Sequence, residues 1–573
     1  MISKAGKVSP RTGRSCWVAL GATFVLACSA HCEALESEPS NSPADHPKAM
    51  SDAGGPPVMR RLNQEQYAQT VADVFGPDIA VGFRTEPEIR EAGLLAVGSS
   101  HSSFAPSSLE QFDRAAHAVA IQVTDEAHWD SLVGCAVRGS AVDEMCLKQF
   151  IARVGRLLYR RPLTDAELQT QLSLAAEATR VLGDGRSGVR ASLASMLTAP
   201  ELLFRRDAAE PDLKRQGAQV LDSYSRATRL SFLLWDRTPD ETLLEAAQSG
   251  VLDKPAGWKF QVDRLLASGH VETGVRAFFR DMLEFDRFAR LAKDPALYPK
   301  FTSTVMADVQ EQTLRTIVDE LITRGGDYRD LFTTRQTFLT RRLGGLYELP
   351  VVSPQGWERF EFGGKDPRGA GILTHASFVA LHSHPGRSSP TLRGRALREI
   401  FLCKQVPNPP GNVDFNIVQD TSNPLYKTMR QRLKAHASQP MCAGCHKLTD
   451  PTGLALENFD TAGEYRQQEN GAPIDASGQL DGMNFDGAQG LGKAVHDDPA
   501  APMCLVNRLY SFAVGREPTE AEHAWLAKEV EPEFARMGYR LIPLLRFMVM
   551  SPNFIAVTEP AVSTTTAHNE APK

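Results

Sequence analysis

Four places in this chain carry the same punctuation: a polar residue, two residues of any kind, then Glu or Gln. They are Asn63 with Gln66, Thr164 with Glu167, Thr238 with Glu241, and Thr519 with Glu522. At such a helix start the polar side chain accepts from the backbone N–H three residues on, and the Glu or Gln reaches back. Two donors that would lack partners are thereby satisfied together. The third start also has Pro239 at the first helical position and Gly250 at the expected stop. Behind the starts, apolar residues recur at helical spacing, as Leu243, Leu244 and Ala247 do, and period-two runs are few and short. The predicted fold class is mainly α, with several packed helical units.

Two distant segments share an order of features. "RLLYRRPLTDAEL" from Arg156 leads through a helix to "LTAPELLFRR", and "RLYSFAVGREPTEAEHAWL" from Arg508 leads to "MVMSPNFIAV". Each has an Arg-Leu helix end, a Pro-containing turn, a capped helix, another helix and a small-Pro exit. That shared order predicts a duplicated helical unit. With 573 residues the chain is too long for one ordinary core. The expected division is 1–30, a signal segment; 31–57, a disordered linker; 58–130, an N-terminal helical domain; and 131–210, the first repeat copy. It continues with a central helical domain over 211–350, a cytochrome c-like segment with the C-x-x-C-H motif over 351–490, the second repeat copy over 491–557 and a disordered tail over 558–573.

The first residues predict export. Lys4, Lys7, Arg11 and Arg14 precede an uncharged run from Cys16 to Cys28, which is short for a membrane span and suits the apolar part of a signal peptide. Ala27 before Cys28 resembles a lipoprotein cleavage site, so a lipid anchor at Cys28 and ordinary cleavage a few residues later both fit. No other long apolar run occurs, which predicts no transmembrane helix in the mature chain. The expected location is the periplasm, or the outer membrane or cell surface as a lipoprotein. A net charge of -6 and the lack of a long basic run argue against a nucleic-acid partner.

In an oxidising compartment cysteines pair. Cys135 and Cys146 flank a short polar segment and are expected to form a local disulfide. Cys403 and Cys504 can close across the fold, although spacing does not fix that connectivity.

Cys442, Cys445 and His446 form C-x-x-C-H. Two thiols within one turn can form thioethers to both haem vinyl groups, and the adjacent imidazole then becomes the proximal iron ligand. In an exported chain this motif predicts one covalent haem c. A closed zinc site would need further ligands, and no second C-x-x-C lies nearby. A thioredoxin-like dithiol would accompany a βαβ pattern, which is missing from the sequence. For the distal side Met483, in a Gly-rich loop, is the first candidate; His436 would give bis-His ligation, and Met503 lies further on. A filled sixth position favours electron transfer, whereas an open one permits peroxide or oxygen chemistry.

Other motifs carry less. His375, His382 and His384 fall within ten positions, yet surface or hydrogen-bonded histidines explain them better than a metal site. "GAQGLGKA" from Gly487 has the spacing of a phosphate loop but ends in Ala494, where Ser or Thr should hold magnesium. No G-x-S-x-G elbow occurs. Glu457, Asp460 and Glu464 are expected to cap and brace the turn beyond the haem motif.

In order along the chain stand "RRLNQEQYAQTVADVFG", "LLYRRPLTDAEL", "YSRATRLSFLLWDRTPDETLLEAAQSGVL", "RGAGILTHASF", "SSPTLRGRALREIFLCKQVPNPPGNVD", "CAGCHKLTDPTGLALENFDTAGEYR" and "LYSFAVGREPT". Together they resemble the large exported bacterial proteins of the DUF1592 family (a domain of unknown function), with companion domains DUF1587, DUF1595, DUF1588 and DUF1585. The resemblance implies a c-type haem at Cys442, Cys445 and His446. It also implies an exported neighbour protein as partner, and it names no reaction. The expected function is electron transfer or haem-dependent redox chemistry with an unidentified redox partner, the nearest enzymatic form being an oxidoreductase or peroxidase. The alternative is a cell-surface binding or scaffold protein whose C-x-x-C-H is a structural disulfide or metal site.

Overall fold

The computed structural model describes residues 54–84, 87–103, 105–138, 141–364, 366–408, 416–437 and 440–558. The signal segment with Cys28, the linker up to residue 53, the tail from 559 and the side chain of Cys442 lie outside the described residues. The architecture is mainly α, with small antiparallel sheets of two or three strands.

Three of the four helix starts form the expected reciprocal caps. Gln66 N–H donates to Asn63 Oδ1 at 2.7 Å, Thr164 N–H to Glu167 Oε2 at 2.7 Å and Thr519 N–H to Glu522 Oε2 at 2.8 Å, each with its return bond. The fourth differs. The helix Glu241–Gln248 is capped by Asp240, whose carboxylate accepts from Leu243 N–H at 2.9 Å, and Thr238 instead donates to Leu157 O. Arg264 grips the same Asp240 carboxylate through two bonds of 2.6 and 2.9 Å. A charged acceptor already held by a distant arginine outcompetes the threonine hydroxyl. Gly250 follows at φ +67°, in the left-handed turn expected of a stop.

One apolar core is built from residues between Leu62 and Leu203, with Phe232 added; in it Tyr67, Phe83 and Phe112 meet edge-on. A larger core runs from Ala227 to Phe554 and takes in Leu94 and Val97. Cys135 pairs with Cys146 and Cys403 with Cys504.

The two proposed copies are built alike. Glu144–Tyr159 ends at Arg160 with φ +59°, and Ala500–Val514 ends at Gly515 with φ +73°. In each, the next arginine pairs with the glutamate of the following cap: Arg161 with Glu167 at 2.7 Å and Arg516 with Glu522 at 2.6 Å. Each copy then exits into a short strand. Phe204–Arg206 pairs antiparallel with Met59–Arg61, and Ala556–Val557 pairs with Gln219–Leu221. Glu522 also accepts from Gly55 N–H at 3.1 Å, so the second copy clamps the first described residues of the chain.

Candidate functional site

Cys442, Cys445 and His446 lie on the helix Pro440–Gly453. Spacing of three places the two cysteines one turn apart on adjoining faces. This helix packs closely on Pro390–Ala396 through two glycines: a Cβ on Gly394 would come within 1.9 Å of Thr449 O, and one on Gly453 within 1.8 Å of Pro390 O. Only glycine allows that approach. A small apolar cluster of Val418, Met429, Leu433 and Leu454 seats the neighbouring helix Met429–His436 beside it.

His446 is mostly buried, and its Nδ1 lies 2.8 Å from Asp450 Oδ2, one turn along. The other Asp450 oxygen accepts from Thr391 Oγ1 at 2.7 Å and Thr449 Oγ1 at 3.2 Å. A carboxylate that accepts at Nδ1 fixes the proton there and leaves the Nε2 lone pair available as a ligand. Beside it opens a cleft of about 840 Å3, lined by His446, Asp450, Leu433, Asn484 and Phe485 among others. Cys445 is half-buried with a free thiol, its Sγ 3.9 Å from Pro407 O. His436 is buried and meets the His446 ring edge-to-face with centroids 5.0 Å apart. That contact leaves no space for a macrocycle between the two imidazoles.

The sequence beyond the motif braces this helix. Arg393 is fully buried and donates to Leu456 O and Phe459 O at 2.8 Å, to Asp460 O at 2.6 Å and to Val379 O at 3.3 Å. Burial among these carbonyls lowers its pKa to about 10. Glu457 accepts from Ser388 Oγ at 2.9 Å and Arg466 at 3.1 Å, and burial raises its carboxyl. Asp460 accepts from the backbone of Ala462 and Glu464, while Glu464 pairs with Lys300 at 3.1 Å. Lys293 donates to Ala380 O and Thr461 Oγ1 at 2.8 Å and ties the two loops together; burial lowers its pKa to about 7. The three acidic residues therefore brace the turn.

Met483 lies in a hairpin of Ser477–Leu480 and Met483–Asp486, directly opposite Leu480. It is half exposed at the hairpin's tight end, next to the cleft-lining Asn484 but outside the lining itself. Met503 is on the helix Ala500–Val514, beside disulfide-bonded Cys504. The other histidines do not converge. His375 bonds Thr313 Oγ1 at 2.9 Å at one end of the helix Ala376–Leu381, and His382 ends that helix against Phe378. "GAQGLGKA" opens the helix Gly487–Asp497, where Lys493 pairs with Asp497 on the surface. Among the described residues no group of three His, Cys, Asp or Glu could hold a metal ion, and no helix is long and apolar enough to cross a membrane.

Sequence reasoning missed Asp450, Arg393 and Lys293. Asp450 had a usable signal, an acidic residue four positions after His446 in a helical stretch.

Family models for proteins of unknown function match five successive regions. In chain order they are DUF1587 over 60–125, DUF1595 over 146–207, DUF1592 over 221–349, DUF1588 (short name PSCyt3) over 369–469 and DUF1585 over 481–554. No curated protein and no solved structure matches the chain.

Proposed function

This chain belongs to the DUF1592 family and carries its four companion domains, and on that premise we propose that it is an exported mono-haem c protein acting in electron transfer or haem-dependent redox chemistry. The observation that carries the reading is the Asp450–His446 hydrogen bond beside the two motif cysteines. A ligand histidine whose Nδ1–H is held by a carboxylate is the usual arrangement at a metal, and a cleft of about 840 Å3 opens at His446, with Cys445 next in sequence but outside its lining. The short name PSCyt3 of the model matched over the motif points the same way.

In this reading Cys442 and Cys445 would hold a haem through thioethers and His446 Nε2 would bind its iron. Asp450 holds the imidazole in the ligating tautomer. Met483, beside the cleft-lining Asn484, is the residue we propose would supply a second iron ligand. When bound, haem c supplies one-electron redox chemistry. The bracing network of Arg393, Glu457 and Asp460 keeps the motif helix and the following turn rigid around it. We further propose a periplasmic or cell-surface location, with a lipid anchor at Cys28, and a redox partner among exported neighbour proteins.

The test is a haem stain on a denaturing gel, with absorption spectra, for the full chain exported alongside a cytochrome c maturation system. Covalent haem with a reversible reduced spectrum supports the assignment. Absence of covalent haem despite correct export would sink it and leave a binding or scaffold protein.

A further inference from the structure

Far from the haem motif in sequence, a cavity of about 830 Å3 lies between the two apolar cores. Its lining comes from four of the five matched family regions, with Arg60, Arg205, Asp236 and Phe512 as one example from each.

Two arginines dominate one wall. Arg60 and Arg205 stand directly opposite one another in the antiparallel pairing of Met59–Arg61 with Phe204–Arg206. Like charges in that relationship repel. Both are more than nine-tenths buried; among the described residues Asp236 and Asp207 act on Arg205, and Asp207 on Arg60, through space, without a direct ion pair to either. Arg60 donates to Phe512 O at 3.1 Å. Arg205 has no such partner: its guanidinium stacks over Phe232 at 4.1 Å from the ring centroid, and its buried Nε makes no hydrogen bond. A buried guanidinium without an acceptor is strongly unfavourable, and an anion in the cavity would supply what it lacks.

The rest of the lining selects which anion. Asp236 and Glu88 share the cavity with four further carboxylates, Glu65, Asp281, Asp286 and Glu311, and burial raises Asp236 to about 6 and Glu88 to about 7. Asp236 also sits at φ +53°, a conformation that side-chain-bearing residues rarely adopt, and is held there by Gln66 Nε2 at 2.7 Å. Negative charge in this lining disfavours a dianionic phosphate more than a monoanion. The planar guanidinium fork matches two coplanar oxygens. Around it, Phe232, Phe285, Met306 and Leu314 present apolar surface.

We propose that this cavity binds a small organic monocarboxylate with an apolar body, its carboxylate seated on Arg205 beside Arg60. The site is separate from the haem reading and stands or falls without it.

The experiment is calorimetric titration and thermal melting of the full chain with benzoate and hexanoate, with neutral benzamide and phenyl phosphate as controls. Two variants accompany it: Arg205→Gln removes the head-group contact, and Ala277→Trp fills the cavity from its lining while leaving both arginines in place. Expected are saturable binding of a carboxylate probe with a raised Tm, at least tenfold weaker binding in each variant, and no binding of benzamide. Should Arg205→Gln fail to fold, the Ala277→Trp result decides. Failure of both carboxylates to saturate, unchanged binding in folded Ala277→Trp, or preference for phenyl phosphate would overturn the proposal.

Discussion

His446 and Asp450 are joined side chain to side chain at 2.8 Å, one helical turn apart. The carboxylate is itself fixed by Thr391 on the neighbouring helix, so the imidazole is anchored to a second element of the fold. A negative charge behind a ligand imidazole stabilises the more positive, oxidised iron. Asp450→Asn is therefore expected to keep covalent haem, since both cysteines remain, and to raise the reduction potential. Redox titration of the two proteins checks this; an unchanged or lowered potential would remove Asp450 from its assigned role.

The attachment chemistry makes its own prediction. If both cysteines attach haem as proposed, Cys445→Ala would remove one thioether, and the expected product carries haem through Cys442 alone, with an altered haemochrome spectrum and lower yield. Mass spectrometry and the pyridine haemochrome spectrum read it. A spectrum identical to that of the parent would refute double attachment.

Met483 adjoins the cleft-lining Asn484 and lies half exposed at the hairpin's tight end, outside the lining itself. If its thioether turns in to fill the sixth position, Met483→Ala leaves covalent haem intact, abolishes the sulfur-to-iron charge-transfer band and makes the iron bind cyanide readily. Identical spectra and cyanide affinity in the variant would leave Met483 a surface residue.

How much of this could be read in advance depended on the range of the interaction. The C-x-x-C-H and three of the caps are local patterns, and they were legible. Thr238 misled because the choice between it and Asp240 is made by Arg264, 24 residues beyond Asp240. Arg393 left no local trace: its acceptors are carbonyls 14, 63, 66 and 67 residues away, and a carbonyl has no side-chain signature. The facing of Arg60 and Arg205 needed a strand register that joins segments with a long helical region between them. Local periodicity carries no such information.

Arg393 tests the bracing network. Replacing it by Met leaves four carbonyls without their donor and Glu457 with one fewer cation in a buried setting. Loss of one partner of a buried charged network costs about 3–5 kcal/mol. Chemical denaturation of Arg393→Met should show that loss, and Arg393→Lys should recover part of it by reaching some of the same carbonyls. A change of under about 1 kcal/mol would mean that the turn holds without its arginine.

The buried histidines set the acid limit of stability. Burial lowers His375 and His382 to about 3, and Thr313 and Thr337 hydrogen-bond the His375 ring. In the unfolded chain a histidine titrates near ~6.5. Between that value and about 3 the unfolded state binds more protons than the folded one, so stability is fully present above the upper limit and is lost as pH falls. The slope per histidine approaches about 1.4 kcal/mol for each pH unit once the unfolded form is charged and the folded form is not. His375→Gln can keep the hydrogen bond to Thr313 while removing one titration. Its stability should therefore fall less steeply than that of the parent between about pH 6 and pH 4. Equal slopes in denaturant melts across that range would show that His375 is protonated without opening the core.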